Sequence, residues 1–122
     1  MIRDSGAYFG LTPDFRSLSE LLDEEERLTE QIWYNRHMVR RSSIENGIIK
    51  VLPDAEYSRF PYKSNQILDS IWEDALNAAK EVEKRQGIEN LGPWDDIEWG
   101  MINGKLSAVR WILGYDWDML DT

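Results

Sequence analysis

The longest stretch of this 122-residue chain without glycine or proline runs from Asp14 to Asn46. Within it, apolar side chains recur at the three- and four-residue spacing that places them on one face of an α-helix. Ser17 stands just before this pattern and Glu20 three residues later, which is the spacing of a capping box. The sequence therefore predicts one helix of about 25 to 30 residues that begins between Thr12 and Ser17 and ends at Gly47.

A short nonhelical insertion is expected after this helix. Residues 48–52 form a β-branched run that Pro53 stops, which predicts an extended segment or a lone short strand. Residues 53–63 contain a second proline and three aromatic residues, and we expect a loop that packs its rings.

Two more helices are expected in the rest of the chain. The second should begin at Ser64 or Asn65 and end at Gly87, with an apolar face made of Ile67, Leu68, Ile71, Trp72, Ala75, Leu76, Ala79 and Val82. The third should begin with Pro93 near its first position and end at Gly114. The predicted fold is all-α, a small bundle of three principal helices with a short nonhelical insertion, in one helical domain spanning residues 1–122.

The overall charge and the lack of cysteine restrict the classes of partner and compartment. A formal net charge of −9 repels the phosphates of nucleic acid, so we expect no nucleic-acid partner. The chain has no cysteine, which removes disulfides and thiolate metal sites and fits a reducing compartment, with the cytoplasm as the expectation. No run of about 18 apolar residues and no signal-like N-terminus is present, so neither membrane spanning nor secretion is expected.

The C-terminal segment resembles a group of known proteins. The residues EWGMINGKLSAVRWILG, from Glu98 to Gly114, are followed by a tail that ends in WDMLDT. This segment is similar to the C-terminal end of small proteins from bacteria and their phages, over about a fifth of the chain. The resemblance implies an accessory or mobile-element protein, and it implies no activity, ligand or catalytic residue.

Acidic residues crowd the first half of the first predicted helix, namely Glu20, Asp23, Glu24, Glu25, Glu26 and Glu30. Together with Glu73 and Asp74 on the second helix, they could hold Mg²⁺ as paired acidic motifs do in all-helical nucleotide pyrophosphatases. The second helix has no matching acidic pair one turn apart on its inner face. A solvated acidic face is therefore the favoured interpretation, and no metal or cofactor is expected.

Catalytic signatures are absent from the sequence. His37 is the only histidine, and its position one turn after Trp33 and beside arginines predicts a surface residue. No glycine-rich phosphate loop is present. The sequence therefore names no catalytic residue, and it favours a noncatalytic protein over an enzyme.

Gly100, Gly104 and Ala108 repeat every four residues on the third helix and form a flat stripe. A glycine inside a helix costs up to about 1 kcal/mol relative to alanine, so close approach of another backbone should offset it. A tight crossing with the first or second helix is the first explanation, and a close crossing with a second copy of the chain is the alternative.

The residues expected to bind a protein partner are Arg36, Arg40, Arg41, Trp94, Trp99, Trp117, Met119 and Leu120. The arginines could grip an acidic group, although they also complement the helix dipole. Tryptophan is common at interface centres, and we assign Trp72 and Trp111 instead to the core. The tail formed by residues 115–122 is expected to dock against the domain.

Three functions remain open at this stage. The first is a noncatalytic interaction or accessory protein that presents helices and an acidic aromatic C-terminus to a protein partner. A metal-dependent all-helical nucleotide pyrophosphatase is the second, and an acidic DNA mimic or anti-defence inhibitor is the third. An antiparallel homodimer through the first helix is a further expectation, because residues 20–30 hold six acids and residues 31–41 hold three arginines. Its two-fold axis would lie between Leu28 and Ile32.

Overall fold

A computed structural model describes residues 14–117, and three helices make up most of this part of the chain. The elements in chain order are α1 (Leu18–Glu45), β1 (Lys50–Leu52), β2 (Gln66–Leu68), α2 (Asp69–Gln86), a 3₁₀ turn (Ile88–Asn90) and α3 (Asp96–Ile112). The predicted small, mostly helical fold is confirmed. No helix within residues 14–117 is both long and apolar enough to cross a bilayer.

Both ends of α1 lie where the sequence placed them. Ser17 is the N-cap, and its hydroxyl accepts a hydrogen bond of 3.1 Å from the backbone N–H of Glu20. The Glu20 carboxylate accepts one of 3.0 Å from the Ser17 N–H, which completes the capping box. At the other end the helix stops before Gly47, whose φ of 78° lies in the left-handed region that glycine adopts readily.

The nonhelical insertion contains a strand pair that the sequence did not reveal. β1 pairs in parallel with β2, and Val51 lies opposite Ile67. The predicted start of α2 at Ser64 or Asn65 is therefore wrong, because residues 66–68 take their backbone partners from β1. The expected lone strand is likewise one half of a two-stranded sheet.

The loop between the two strands does not pack all its rings. Phe60 is 94% exposed and Tyr62 is 70% exposed, which contradicts the expectation of a ring-packed loop. Tyr57 lies under the guanidinium of Arg59 at 5.5 Å, and Arg59 pairs with Asp54 at 2.6 Å. This loop is held by surface polar contacts instead of by an aromatic cluster.

α2 and α3 both run antiparallel to α1 and cover different sides of it. Near its C-terminal end, α3 places Arg110 against Glu25 of α1. One apolar cluster joins α1 to α3 and consists of Leu28, Ile32, Ile102 and Leu106. A second cluster joins α1 to α2 and the segment after it, and consists of Tyr34, Ala79, Val82 and Leu91.

The start of α3 and its glycine stripe differ from expectation. Asp95 is the N-cap, so the helix begins at Asp96, three residues after Pro93. Asp95 and Glu98 form a second capping box, in which each side chain accepts a hydrogen bond from the backbone N–H of the other residue. Pro93 has no side-chain acceptor that could cap the helix in this way. Apart from the neighbouring backbone of α3 itself, no described atom lies within 4 Å of a Cβ built on Gly100 or Gly104. The tight crossing with α1 or α2 is therefore wrong, because α1 packs on a different face of α3.

Candidate functional site

An open groove with a volume of about 860 Å³ lies over α1, between the C-terminal end of α2 and α3. Leu28 and Ile102 form its apolar floor, and both side chains are buried. Trp94, in the segment before α3, and Met101, which is 55% exposed, extend this apolar surface. A concave site of this size falls in the range of about 300 to 1,000 Å³ that ligand sites occupy.

Charged side chains surround the apolar floor. The carboxylates are Asp23, Glu26, Glu30, Glu89 and Glu98, and the cations are Arg27, Arg85 and Lys105. Arg27 donates to Glu24 at 2.9 Å, and Arg85 pairs with Glu30. Two of the three cations, Arg27 and Arg85, are therefore neutralised by partners. Of the five carboxylates, only Glu30 forms a salt bridge within residues 14–117. Negative charge prevails at the rim.

A polar seam between α1 and α2 forms one wall of the groove. The Gln86 amide donates to Glu30 at 2.9 Å and to the carbonyl oxygen of Arg27 at 3.1 Å. Gln31 donates in turn to the Gln86 side chain at 3.3 Å. Partial burial tends to raise the pKa of Glu30, but hydrogen bonds from Arg85 and Gln86 outweigh it and hold that pKa below its ordinary value. Glu30 therefore stays ionised at neutral pH and keeps this wall in place.

The opposite wall is fixed to α1 near the C-terminal end of α3. Arg110 donates to Glu25 at 3.3 Å and to the Thr29 hydroxyl at 3.4 Å. At the other end, the Asp95 carboxylate caps α3 itself by accepting a bond of 2.7 Å from the Glu98 N–H. Both walls of the groove are therefore joined to α1 by polar contacts outside the apolar floor.

Trp94 links the groove to the core. It packs partly buried against the cluster of Leu28 and Ile102, and its buried Nε1 has no hydrogen-bond acceptor within residues 14–117. Gly92 has a φ of 101°, and a Cβ at that position would lie 3.2 Å from Trp94 Nε1. Glycine at 92 therefore lets the chain turn close against the indole ring.

His37 was expected on the surface, and the structure places it in the interior with 5% of its area exposed. Its ring stacks between Trp33 and Trp72, with centroid distances of 5.1 Å on both sides. The guanidinium of Arg41 lies 2.9 Å from His37 Nε2. Because arginine can only donate, Nε2 accepts this bond, and the imidazole is neutral with its proton on Nδ1.

The surroundings of His37 disfavour its protonation. Burial lowers the pKa of His37 first, and the neighbouring Arg41 lowers it further. Glu83 on α2 acts in the opposite direction, but its carboxylate accepts a hydrogen bond of 2.6 Å from Tyr34. A histidine enclosed by two indoles supports the packing of α1 on α2, and it lacks the access to solvent that a general base requires.

The predicted arginine cluster separates into two environments. Arg36 and Arg40 are exposed on α1, whereas Arg41 is partly buried against His37. None of the three lines the groove that contains Trp94. The structure therefore does not join the basic cluster and the tryptophans into one surface.

The tryptophans also depart from their predicted roles. Trp99 is partly buried against the α1–α3 cluster, while Trp111, assigned to the core, is 57% exposed. Trp111 and the exposed Trp117 meet edge to face with centroids 5.7 Å apart. Trp72 is buried as expected. Met119 and Leu120 lie outside the described residues, as does most of the tail.

The antiparallel α1 dimer stays a prediction, with a limit on its contact face. Its two-fold axis was placed between Leu28 and Ile32, which are 1% and 7% exposed and pack beneath α3. A dimer about that axis would therefore have to use another face of α1.

Four of the eight carboxylates considered for Mg²⁺ pair with arginines, Glu20 with Arg16 among them. Glu24 pairs with Arg27, Glu25 with Arg110 and Glu30 with Arg85. Glu20 belongs to the capping box of α1, and Glu73 and Asp74 are exposed on α2. No group of three or more histidine, cysteine or acidic side chains in residues 14–117 is arranged to hold a metal ion.

No family model, curated protein or solved structure matches this chain. Of the residues that the sequence singled out for binding, Trp94 is the one that lines the groove. The acidic lining residues of α1 were noted only as a possible metal cluster, and Arg85 and Gln86 were missed, because the groove joins three segments far apart in the chain.

Proposed function

We propose that this protein is a noncatalytic binding protein whose groove holds a basic amphipathic helix of a partner protein. The observation that carries the proposal is the apolar floor of the groove within a mainly acidic rim. An amphipathic helix presents apolar side chains at intervals of about 3.6 residues, with polar ones beside them. Its apolar side chains would pack on Met101 and Trp94 above the buried Leu28 and Ile102, and its lysines or arginines would meet the rim.

The charges that line the groove favour a positively charged partner segment. Asp23, Glu26 and Glu89 have no salt bridge in residues 14–117, and Lys105 is the one lining cation there that has none. The net charge of −9 adds a long-range attraction for a basic segment and a repulsion for an acidic one. Complementary charge at a rim mainly raises the association rate and the specificity, while the buried apolar contacts supply the affinity.

The cellular setting is part of the same proposal. The resemblance of residues 98–122 to small bacterial and phage proteins supports an accessory role in a bacterium or its phage. The lack of cysteine supports the cytoplasm as the place where it acts.

A panel of designed helical peptides tests the proposal. We expect a peptide with a leucine stripe flanked by lysines to bind more tightly than the same peptide with glutamates in place of lysines. A lysine peptide with the same composition but no continuous stripe should bind weakly, because it cannot cover the apolar floor. Isothermal titration calorimetry would measure the three affinities.

Charge reversal locates the binding site. Asp23→Lys combined with Glu89→Lys should weaken binding of the striped lysine peptide by about tenfold or more, corresponding to about 1.4 kcal/mol. Glu73→Lys combined with Asp74→Lys changes the net charge equally on an exposed part of α2 outside the groove, and it serves as the matched control. Equal weakening by both pairs would mean that the peptide responds to overall charge alone, and the groove would not be its site.

A further inference from the structure

The outward face of α3 is an apolar surface on which no other helix or strand of residues 14–117 packs. Ile97 is 76% exposed, Trp111 57% and Ile112 58%, although all three are large hydrophobic residues. Between them lie Gly100, Gly104 and Ala108, and α1 packs on the opposite side of the helix through Ile102 and Leu106. Scattered exposed apolar residues need no explanation, but a continuous apolar helix face calls for a covering surface.

The order of residues along this face is self-complementary. In an antiparallel pairing of two α3 helices about a two-fold axis at Gly104, Gly100 of one copy lies opposite Ala108 of the other. Ile97 then lies opposite Trp111. Small residues therefore meet at the centre, where the backbones come closest, and large residues meet at both ends of the contact.

The space around the glycines supports close approach. Apart from the neighbouring backbone of α3 itself, no described atom lies within 4 Å of a Cβ built on Gly100 or Gly104, so no packing contact within residues 14–117 requires glycine at either position. Both glycines nevertheless disfavour the helix in which they lie. A second helix backbone against this stripe would account for both of them.

The charge of the region favours a second copy of the same chain. Two molecules that each carry a net charge of −9 repel one another over most of their surfaces. Between Glu98 and Asp116 the sequence has no acidic residue, and the only cations in that interval are Lys105 and Arg110. Arg110 is paired with Glu25, so this face is where two copies can meet with the least repulsion.

We propose that two copies of this chain associate through antiparallel α3 helices that cross at Gly104. Trp111, held edge to face against Trp117, covers Ile97 of the partner copy at each end of the contact. This surface borders the peptide groove at Met101 and Lys105, which line the groove. Self-association is therefore measured on the protein without peptide, so that its outcome is distinguishable from that of the peptide experiments.

Sedimentation velocity over a wide range of micromolar concentrations tests the proposal. The wild-type chain should show a concentration-dependent dimer, and Gly104→Leu should weaken it by about tenfold or more, because its side chain separates the two backbones. Ala78→Leu places a leucine side chain at an exposed position of α2 and should leave the dimer unchanged. A wild-type chain that stays monomeric, or a Gly104→Leu variant that dimerises as well as wild type, would overturn the proposal.

Disulfide trapping gives a second test that does not depend on the leucine variant folding. The chain has no cysteine, so Gly104→Cys introduces a single thiol on the proposed axis. Oxidation should link two copies readily there, since a disulfide needs Cα atoms within about 7 Å, while Ala78→Cys should not link. An equimolar mixture of Gly100→Cys and Ala108→Cys should yield mainly the mixed dimer. Linkage of each variant mainly to itself would contradict the antiparallel arrangement.

Discussion

Lowering the pH from about 7 to about 5 should destabilise the folded chain through His37, the only histidine in the sequence. The pKa of this ring is lowered by burial and by Arg41. The unfolded chain then takes up a proton near the ordinary value of 6.5, while the folded chain remains neutral. Stability is therefore complete above that pH and declines as the pH falls toward the folded pKa.

Two opposing effects decide the sign of this prediction. An imidazolium between Trp33 and Trp72 would gain about 0.5 to 2 kcal/mol from the faces of the indoles. Protonation would also remove the acceptor that Nε2 offers to Arg41 at 2.9 Å and place two cations side by side in a buried site. Burial of the ring, which is the larger cause, and the charge of Arg41 together outweigh the gain from the indoles, so the pKa lies below its ordinary value.

Urea unfolding followed by tryptophan fluorescence would measure the effect. The free energy of unfolding should fall by at most about 1.4 kcal/mol per pH unit in this interval, which is the limit for one proton. The pKa values of the Glu20, Glu24 and Glu30 carboxyls are also lowered. The stability that these three residues contribute is lost only below their ordinary value of 4.5, as the pH falls through their lowered pKa values. The interval between pH 5 and 6.5 therefore isolates the histidine.

His37→Gln provides the control, because glutamine does not titrate. We expect its stability to be nearly independent of pH over the interval in which that of the wild type declines. An NMR titration of the single imidazole should give a midpoint below 6.5 in the folded protein. A midpoint above that value, or equal pH dependence in both proteins, would refute the reasoning.

Three further predictions concern the contacts that position the groove. Leu28→Ala should lower the free energy of unfolding by about 2 to 5 kcal/mol in urea titrations, because Leu28 is 1% exposed and the cavity cannot close fully; a loss below 1 kcal/mol would contradict its place in the core. Ser17→Ala should cost about 1 kcal/mol by removing the α1 cap, whereas Ser70→Ala, at an exposed position, should be nearly neutral. Arg110→Ala should cost about 1 kcal/mol at low salt and less at high salt, and a larger loss from the exposed Arg16→Ala would reverse the expected ranking.

The helices could be predicted from the sequence because their signals are local. The Ser17 capping box and the turn at Gly47 lie next to the first and last residues of α1. Neither end of this helix therefore required knowledge of tertiary contacts to be predicted. β2 lacked such a signal, since Ile67 and Leu68 also continue the apolar spacing of α2. Its pairing with β1 joins residues that lie 16 positions apart in the sequence.

Burial of the aromatic residues could not be predicted in the same way. Trp99 and Trp111 lie on one helix, and which of them is buried depends on where α1 packs against it. His37 is enclosed because Trp72 approaches from α2, 35 positions along the chain. The groove combines three such distant segments, so the sequence pointed to Trp94 and to an acidic surface without joining them into one site.

The most direct test of the central claim is to map the binding of the striped lysine peptide by two-dimensional NMR of the ¹⁵N-labelled protein. We expect the largest shifts to include the indole N–H of Trp94 and the amides of Met101 and Gln86, which line the groove. Resonances near the exposed Phe60 should remain unchanged. Shifts concentrated elsewhere in the chain, or spread evenly over all acidic surfaces, would contradict the groove as the binding site.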